Sequence, residues 1–493
     1  MSGRSVLVIG AGIGGITAAI HLANAGLTVT VLDKNSEAGG RCARVVRDGH
    51  RFDTGPTLLV MRPVYEAEFG AVGARLGDVL ELTQVDPTYR LVFDDGSHLA
   101  LTSDMTSMRE QLEKIEAGSF RGFDRYLQEG ARHYELVLNR VVNHDFRGLA
   151  DVLTREMLSM VFRVKPLVNH YRNMSAYFDA PRLKSAFTFQ DLYVGLSPFD
   201  APATFSMLPY TELAHGVWYP RGGMYSVVER LVDLARDAGV EFRFGATVAR
   251  IDTTNDRARG VTLTDGTHVE AEVVVANADL PYVYRCLLPD VREAEAVSRK
   301  QFSASAISFF WGVDRTYEGL APHTLFLADD YRENFDKIVR DHSLPANPSL
   351  YVHAPARLDP TMAPLGQDTV TAIVPVGHLT ADGEQDWATL RDRARGHVFR
   401  RLRSVGVTDL SDHIKFEVAY TPVSWAERHN LVKGATHGLS HKLTQMACFR
   451  PSNQHRRYRN LYFVGASTHP GTGIPMAMIS GRLAAERITA EGR

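Results

Sequence analysis

The fold is decided by the stretch Ser5-Val-Leu-Val-Ile-Gly10-Ala-Gly12-Ile-Gly14-Gly15-Ile-Thr-Ala-Ala-Ile20, continuing through Thr28-Val-Thr-Val-Leu-Asp33. Ser5 to Ile9 is a short apolar run ending in glycine, the pattern of a strand buried on both faces. Ile13, Ile16 and Ile20, with Ala19 and Ala23, then recur at helical spacing, and Gly26 marks the helix end. Thr28 to Leu32 reads as the next strand, with Asp33 at its tip. The glycines serve separate physical purposes. Gly10 permits the tight turn, Gly12 lets a pyrophosphate approach the backbone, and Gly15 lets the helix pack against the strand. Phosphates then meet free N–H groups at the helix N-terminus, and Asp33 accepts hydrogen bonds from an adenosine ribose. The expectation is a dinucleotide site. A purely structural turn would leave the strand, the helix period and the acid unrelated.

The remaining composition bounds this reading. The chain has 493 residues, 55 Lys+Arg against 57 Asp+Glu, a net charge of −2 and 44% hydrophobic residues. That is too much apolar surface for a disordered chain, and length alone suggests two or three domains. The absence of a basic balance argues against nucleic acid as a partner. The cysteines, Cys42, Cys286 and Cys448, lie far apart, with neither metal-ligand spacing nor an even count for disulfides. No metal is expected, and a reducing compartment fits. The nearly charge-free run from Val6 to Leu32 invites a signal-peptide or membrane-span reading, but its glycines and the closing Asp33 favour strand, loop, helix and strand.

Two further segments return to the same kind of structure. Tyr225 to Ala238 has Val227, Val228, Leu231, Leu234 and Ala235 on one helical face. Strands are expected at 241–244, 247–251 and 273–276, with a hairpin turning at Asp265-Gly266. Near the C-terminus, 460–464 reads as a strand and 475–488 as a helix. The predicted class is therefore α/β, a Rossmann-like domain built discontinuously from 1–84, 216–290 and 451–493. An α+β substrate domain of 85–215 and 291–450, rich in Phe, Tyr and Met, is interleaved with it.

Just past Asp33, Gly39-Gly40-Arg41 adds a second glycine turn and a guanidinium fork suited to pyrophosphate. With this the chain resembles the flavin amine-oxidase and carotenoid-desaturase superfamily, whose cofactor is FAD. Arg51-Phe-Asp-Thr-Gly55-Pro56-Thr57 is similar to the FDxGPT loop of bacterial phytoene desaturases. Tyr219-Pro-Arg-Gly222-Gly223-Met224 and Gly465-Ala466-Ser-Thr-His469-Pro-Gly-Thr-Gly473-Ile474-Pro475 match two more of that family's motifs. Phe187 to Gly195, Leu350 to Pro355 and the Phe449-Arg-Pro451 step match in order. The resemblance covers essentially the whole chain. It implies an FAD set of Gly10, Gly12, Ile13, Gly14, Gly15, Asp33, Lys34, Gly40, Arg41, Gly55, Pro56, Thr57, Val248, Asn277, Gly465, Ala466, Gly473, Ile474, Pro475 and Met476. In relatives the position of Val248 brackets adenine with backbone atoms.

The same resemblance implies dehydrogenation of a phytoene-type C40 or C30 polyene, with oxygen or a quinone as electron acceptor; later-stage carotenoid desaturases, oxidases and isomerases of the same family share these motifs and are the alternative. Phe187 to Tyr193 and Gly222 to Tyr225 lean towards the C30 pattern. An apolar substrate implies peripheral attachment to the cytoplasmic side of the cell membrane. The segment Arg155 to Arg172, with Met157, Leu158, Val161 and Phe162 among Arg155, Arg163, Lys165 and Arg172, is a candidate interfacial helix. A helix with one face in the core is the alternative. No catalytic side chain is assigned. His469 is either a base or a loop-bonding residue, and Asp151 lacks the Arg three positions on that some relatives carry. Two rival readings share parts of the pattern: an amine or amino-acid oxidase, and a flavin-free prenyl-binding escort protein of the GDP-dissociation-inhibitor type.

Overall fold

At the centre lies a parallel sheet of five strands in the order Leu461–Phe463, Val273–Ala276, Ser5–Ile9, Thr28–Asp33 and Glu241–Phe244. The computed structural model describes residues 4–147, 151, 154–288 and 291–491. Strand residues alternate between two buried faces, as the period of a β-strand requires. Val6, Val8, Val29, Val31, Val273 and Val275 face helices Ile13–Asn24, Tyr225–Asp237 and Ile474–Glu491. Leu7, Ile9, Leu32, Val274, Ala276, Leu461 and Phe463 face an antiparallel three-stranded sheet of Val248–Thr254, Arg257–Leu263 and His268–Glu270. Burial on both faces explains the continuous apolar runs.

Helices Ile13–Asn24 and Ile474–Glu491 touch along small residues. A Cβ on Gly481 would stand 2.6 Å from the carbonyl oxygen of Gly14, and one on Gly15 would stand 2.3 Å from that of Gly10. The last helix of the chain is thereby locked onto the first.

A second layer is a seven-stranded sheet running Ile414–Tyr420, Ser305–Val313, Asp368–Val376, Leu350–His353, His323–Phe326, Tyr89–Val92 and His98–Leu101. Its pairings are antiparallel except for the parallel contact of His323–Phe326 with Tyr89–Val92. Helices Ser119–Val137 and Met207–Ala214 pack together beside it. The predicted strand 460–464 is shorter, Leu461–Phe463, and the terminal helix longer, Ile474–Glu491. Among the described residues, no helix is long and apolar enough to cross a membrane.

Gly481→Val should separate the two locked helices. Overpacking at such a contact costs about 1–3 kcal/mol, so thermal unfolding should start at a lower temperature than in the wild type.

Candidate cofactor and substrate site

The C-terminal ends of Ser5–Ile9, Thr28–Asp33 and Val273–Ala276 open onto a cavity of ≈ 500 Å³ that continues between the two layers. This volume falls within the roughly 300–1,000 Å³ of sites for small molecules and cofactors. At its head Gly10 has φ 100°, which a side chain resists. Helix Ile13–Asn24 begins at Gly12 with no side-chain cap, leaving its first N–H groups free for an anion.

Asp33 is buried, and its Oδ2 accepts from the Ala11 N–H at 2.7 Å while Oδ1 accepts from the Asn35 N–H at 2.8 Å. Burial raises its pKa, and these two N–H donors oppose the rise. Lys34 donates to the Glu427 carbonyl and to Asn430 Oδ1, both at 2.7 Å, tying the strand tip to helix Pro422–His429. Arg41 donates to the Thr436 carbonyl at 3.1 Å. Burial lowers its pKa and the Asp279 charge works against that. The Asn277 side chain sits under the glycine turn, its Nδ2 donating to the Gly10 carbonyl at 3.2 Å.

Of the predicted set, Gly10, Gly12, Ile13, Gly14, Asp33, Lys34, Gly40, Arg41, Gly55, Pro56, Thr57, Val248, Asn277, Gly465, Ala466, Gly473, Ile474 and Pro475 line this one cavity. Gly15 and Met476 do not. Gly15 works beneath the turn as a packing contact. Met476 leaves the crevice because Ile474 and Ala477, three positions apart, share the lining face. Its side chain packs instead against the cluster containing Met61, Tyr134 and Ile479. His469 is buried outside the lining, edge-on to Phe146 at 5.2 Å, and burial pushes its pKa down to about 4. It is not placed to act as a base at the cavity.

The sequence reading also missed residues that build the site. Asp53, within the FDTGPT loop, accepts from the backbone N–H groups of Met224 and Tyr225 at 2.8 and 3.0 Å. It thereby joins that loop to the start of helix Tyr225–Asp237. The buried Arg450 guanidinium donates to five carbonyls: Thr468 at 2.9 Å, Ser440 at 3.2 Å, Gln445 at 3.1 Å, Leu439 at 3.3 Å, and Ala466. Desolvation brings its pKa down to about 9, with Asp279 opposing, so it stays charged at neutral pH. It fixes the loop from Gly465 to Gly473 by its backbone.

The cavity suits FAD on the chemistry of its own walls. A free helix N-terminus and Arg41 await a pyrophosphate, Asp33 awaits a ribose, and both ring nitrogens of the half-buried His429 on the lining have no hydrogen-bond partner. No group of His, Cys, Asp and Glu among the described residues has the arrangement of a metal site.

Residues 13–489 match the family of flavin containing amine oxidoreductases. The chain is 42% identical to the phytoene desaturase of Fusarium fujikuroi, over 98% of this chain and 89% of that protein. It is 41% identical to the zeta-carotene-forming phytoene desaturase of Myxococcus xanthus, over 99% and 94%. A solved structure of putrescine oxidase shares the fold at TM-score 0.66 and 16% identity, each chain covered to 99%. The chain belongs to the flavin containing amine oxidoreductase family, as an FAD-dependent oxidoreductase.

Two outcomes test the site. Asp33→Ala should weaken FAD binding by about tenfold or more, the worth of one charge-assisted hydrogen bond, as read by flavin fluorescence titration. Arg450→Met should cost more than about 3 kcal/mol by leaving buried carbonyls unpaired, with Arg450→Lys recovering only part, as read by urea denaturation.

Proposed function

We propose that this enzyme desaturates a C40 polyene of the phytoene type. The observation that carries the reading is the second half of the cavity. Beyond the FAD end its wall is formed by Phe189, Leu192, Leu325, Leu327, Leu350 and Ile373, an apolar passage suited to a hydrocarbon chain. An amine oxidase would instead need a cation or carboxylate partner there. The two phytoene desaturases at 42% and 41% identity support the C40 choice over the C30 one.

FAD supplies a two-electron acceptor when bound. The protein positions the polyene against it and excludes water. Residues from both the FAD and the substrate segments line the cavity. The terminal electron acceptor expected beyond bound FAD would be oxygen or a quinone.

The enzyme docks peripherally on the cytoplasmic face of the membrane. Helix Arg155–Arg163 and the residues after it support this only in part. Met160 and Val164 are buried, Met157 is half-buried against the same core cluster, and the side chains of Leu158, Val161 and Phe162 lie outside the described residues. Lys165 is ion-paired with Glu129 and hydrogen-bonded to Asn173, so it is not free for lipid. The remaining lipid-facing candidates are Arg163, Arg172 and Leu167, which is 85% exposed.

Expression in bacteria accumulating phytoene should shift pigment absorption to the red, with a smaller or no shift on the C30 analogue. No shift with either precursor overturns the reading. In vesicle co-sedimentation with anionic lipid, Leu167→Ser with Arg163→Glu should cut binding several-fold. Unchanged binding would place the docking surface elsewhere.

A further inference from the structure

The passage carries a polar seam that its substrate does not explain. Tyr89, on strand Tyr89–Val92, and Tyr193, in the 3-10 segment Phe189–Val194, both line the cavity. Their hydroxyls are hydrogen-bonded to each other. The Tyr193 hydroxyl donates to Glu212 Oε1 at 2.7 Å, and Gln190 Nε2 donates to Glu212 Oε2 at 3.0 Å. Glu212, on helix Met207–Ala214, is only 3% exposed. The direction of the chain follows from its end: Glu212 accepts, so Tyr193 gives its proton to Glu212 and accepts from Tyr89. As donor to Tyr193 the Tyr89 oxygen keeps its own lone pairs, and Tyr89 is among the residues that line the cavity.

A buried carboxyl and two buried hydroxyls are costly beside a hydrocarbon passage. A hydrocarbon has no polar group for them to recognise. A titratable chain held in a cleft in this way marks chemistry. Tyr89 stands close to the cofactor loop as well, its ring 6.3 Å from that of Tyr351, whose hydroxyl is 2.8 Å from Thr57 Oγ1.

Resting on the desaturase reading, we infer that Tyr89, Tyr193 and Glu212 form the relay that takes up the proton released when each double bond forms. Desaturation removes two hydrogens from adjacent carbons. One leaves with its electron pair to FAD, the oxidant. The second C–H bond leaves its pair behind as the new π bond and gives its proton to the Tyr89 oxygen. Tyr89 passes its own hydroxyl proton to Tyr193, and Tyr193 passes its own to the Glu212 carboxylate. The relay ends with both phenols neutral and Glu212 protonated.

Burial raises Glu212 to about 7, with Gln190 and Tyr193 opposing, which suits a group that must hold a proton and then release it. The neighbouring Tyr351 hydroxyl is also 2.6 Å from His323 Nδ1, but burial and His353 hold His323 well below the usual histidine range. That imidazole is a poor terminus. Most ionisable groups on the elements packed against the Glu212 helix are otherwise engaged, while the Tyr134 hydroxyl has no hydrogen-bond partner. Glu129 pairs with Lys165, Asp191 with His170, and Tyr126 bonds His170 and the Phe187 carbonyl. His133 bonds Ser206 Oγ and the Arg163 carbonyl, while Tyr134 packs edge-on to His215, the titratable neighbour on the Glu212 side.

The test uses the FAD-loaded full chain with phytoene in liposomes, comparing wild type, E212Q and Y193F. In the wild type kcat should rise with pH through about 7 and level off. E212Q should lower kcat by about a hundredfold or more, the usual worth of a positioned acid–base group, and abolish that rise. Y193F should do the same, and the double variant should be no worse than either single one. A carboxyl infrared band titrating near 7 in the wild type, with or without substrate, should vanish in E212Q. A role confined to packing would instead move KM or stability and leave the pH profile intact. The relay is overturned if E212Q, or Y193F should E212Q not fold, keeps kcat within about twofold together with the wild-type pH profile. It is overturned equally if no carboxyl band is lost. A wild type inert on phytoene would sink the substrate reading, while the infrared arm still decides whether Glu212 titrates.

Discussion

Everything in this molecule depends on strand Ser5–Ile9 being held between Thr28–Asp33 and Val273–Ala276. Parallel strands of this kind put all their C-terminal ends on one edge, and ligands gather where those ends meet. The register Val6 with Val273 and Val274 with Leu461 aligns three distant pieces of chain to within a residue. Asn277 can then reach under the glycine turn, and Gly465 can lie beside Gly14. A slip of one residue would turn every valine of the sheet to the wrong face.

Much of this was legible because it is local. The strand, glycine turn, helix and acid occupy fewer residues than one supersecondary unit, and the periodicity switches from 2 to 3.6 within it. The parts that were not legible come from separated segments. Nothing near Asp53 says that its carboxylate will start a helix at Tyr225. The Phe449-Arg-Pro451 step could be matched as a motif, yet its meaning appears only when five carbonyls from 439 to 468 surround Arg450. Met476 lies off the cavity lining, whose helical face is set by Ile474 and Ala477, three positions apart. Lys165 looked like a lipid-facing cation because Glu129, 36 residues earlier, cannot be seen as its partner in a linear reading.

The two halves of the cavity divide the physical labour. At the FAD end, backbone N–H groups and glycines meet a charged ligand, with Arg41 and Asp279 setting the local field. At the other end, aliphatic and aromatic side chains meet a ligand with no charge at all. A polar group in the second half therefore has to answer for itself, whereas one in the first half does not. Bulk composition could not separate these environments, since a 44% hydrophobic content is ordinary for a folded chain.

The strand Leu461–Phe463 and helix Ile474–Glu491, which complete the central sheet and clasp the first helix, follow every other strand of that sheet in chain order. Every other strand of the sheet must therefore be made before the nucleotide crevice has its final wall. Until then Val273–Ala276 is an open sheet edge and the small-residue face of Ile13–Asn24 is bare, both of them surfaces that invite wrong partners. A chain cut before Leu461–Phe463 carries the dinucleotide fingerprint intact yet has no finished place to put the cofactor.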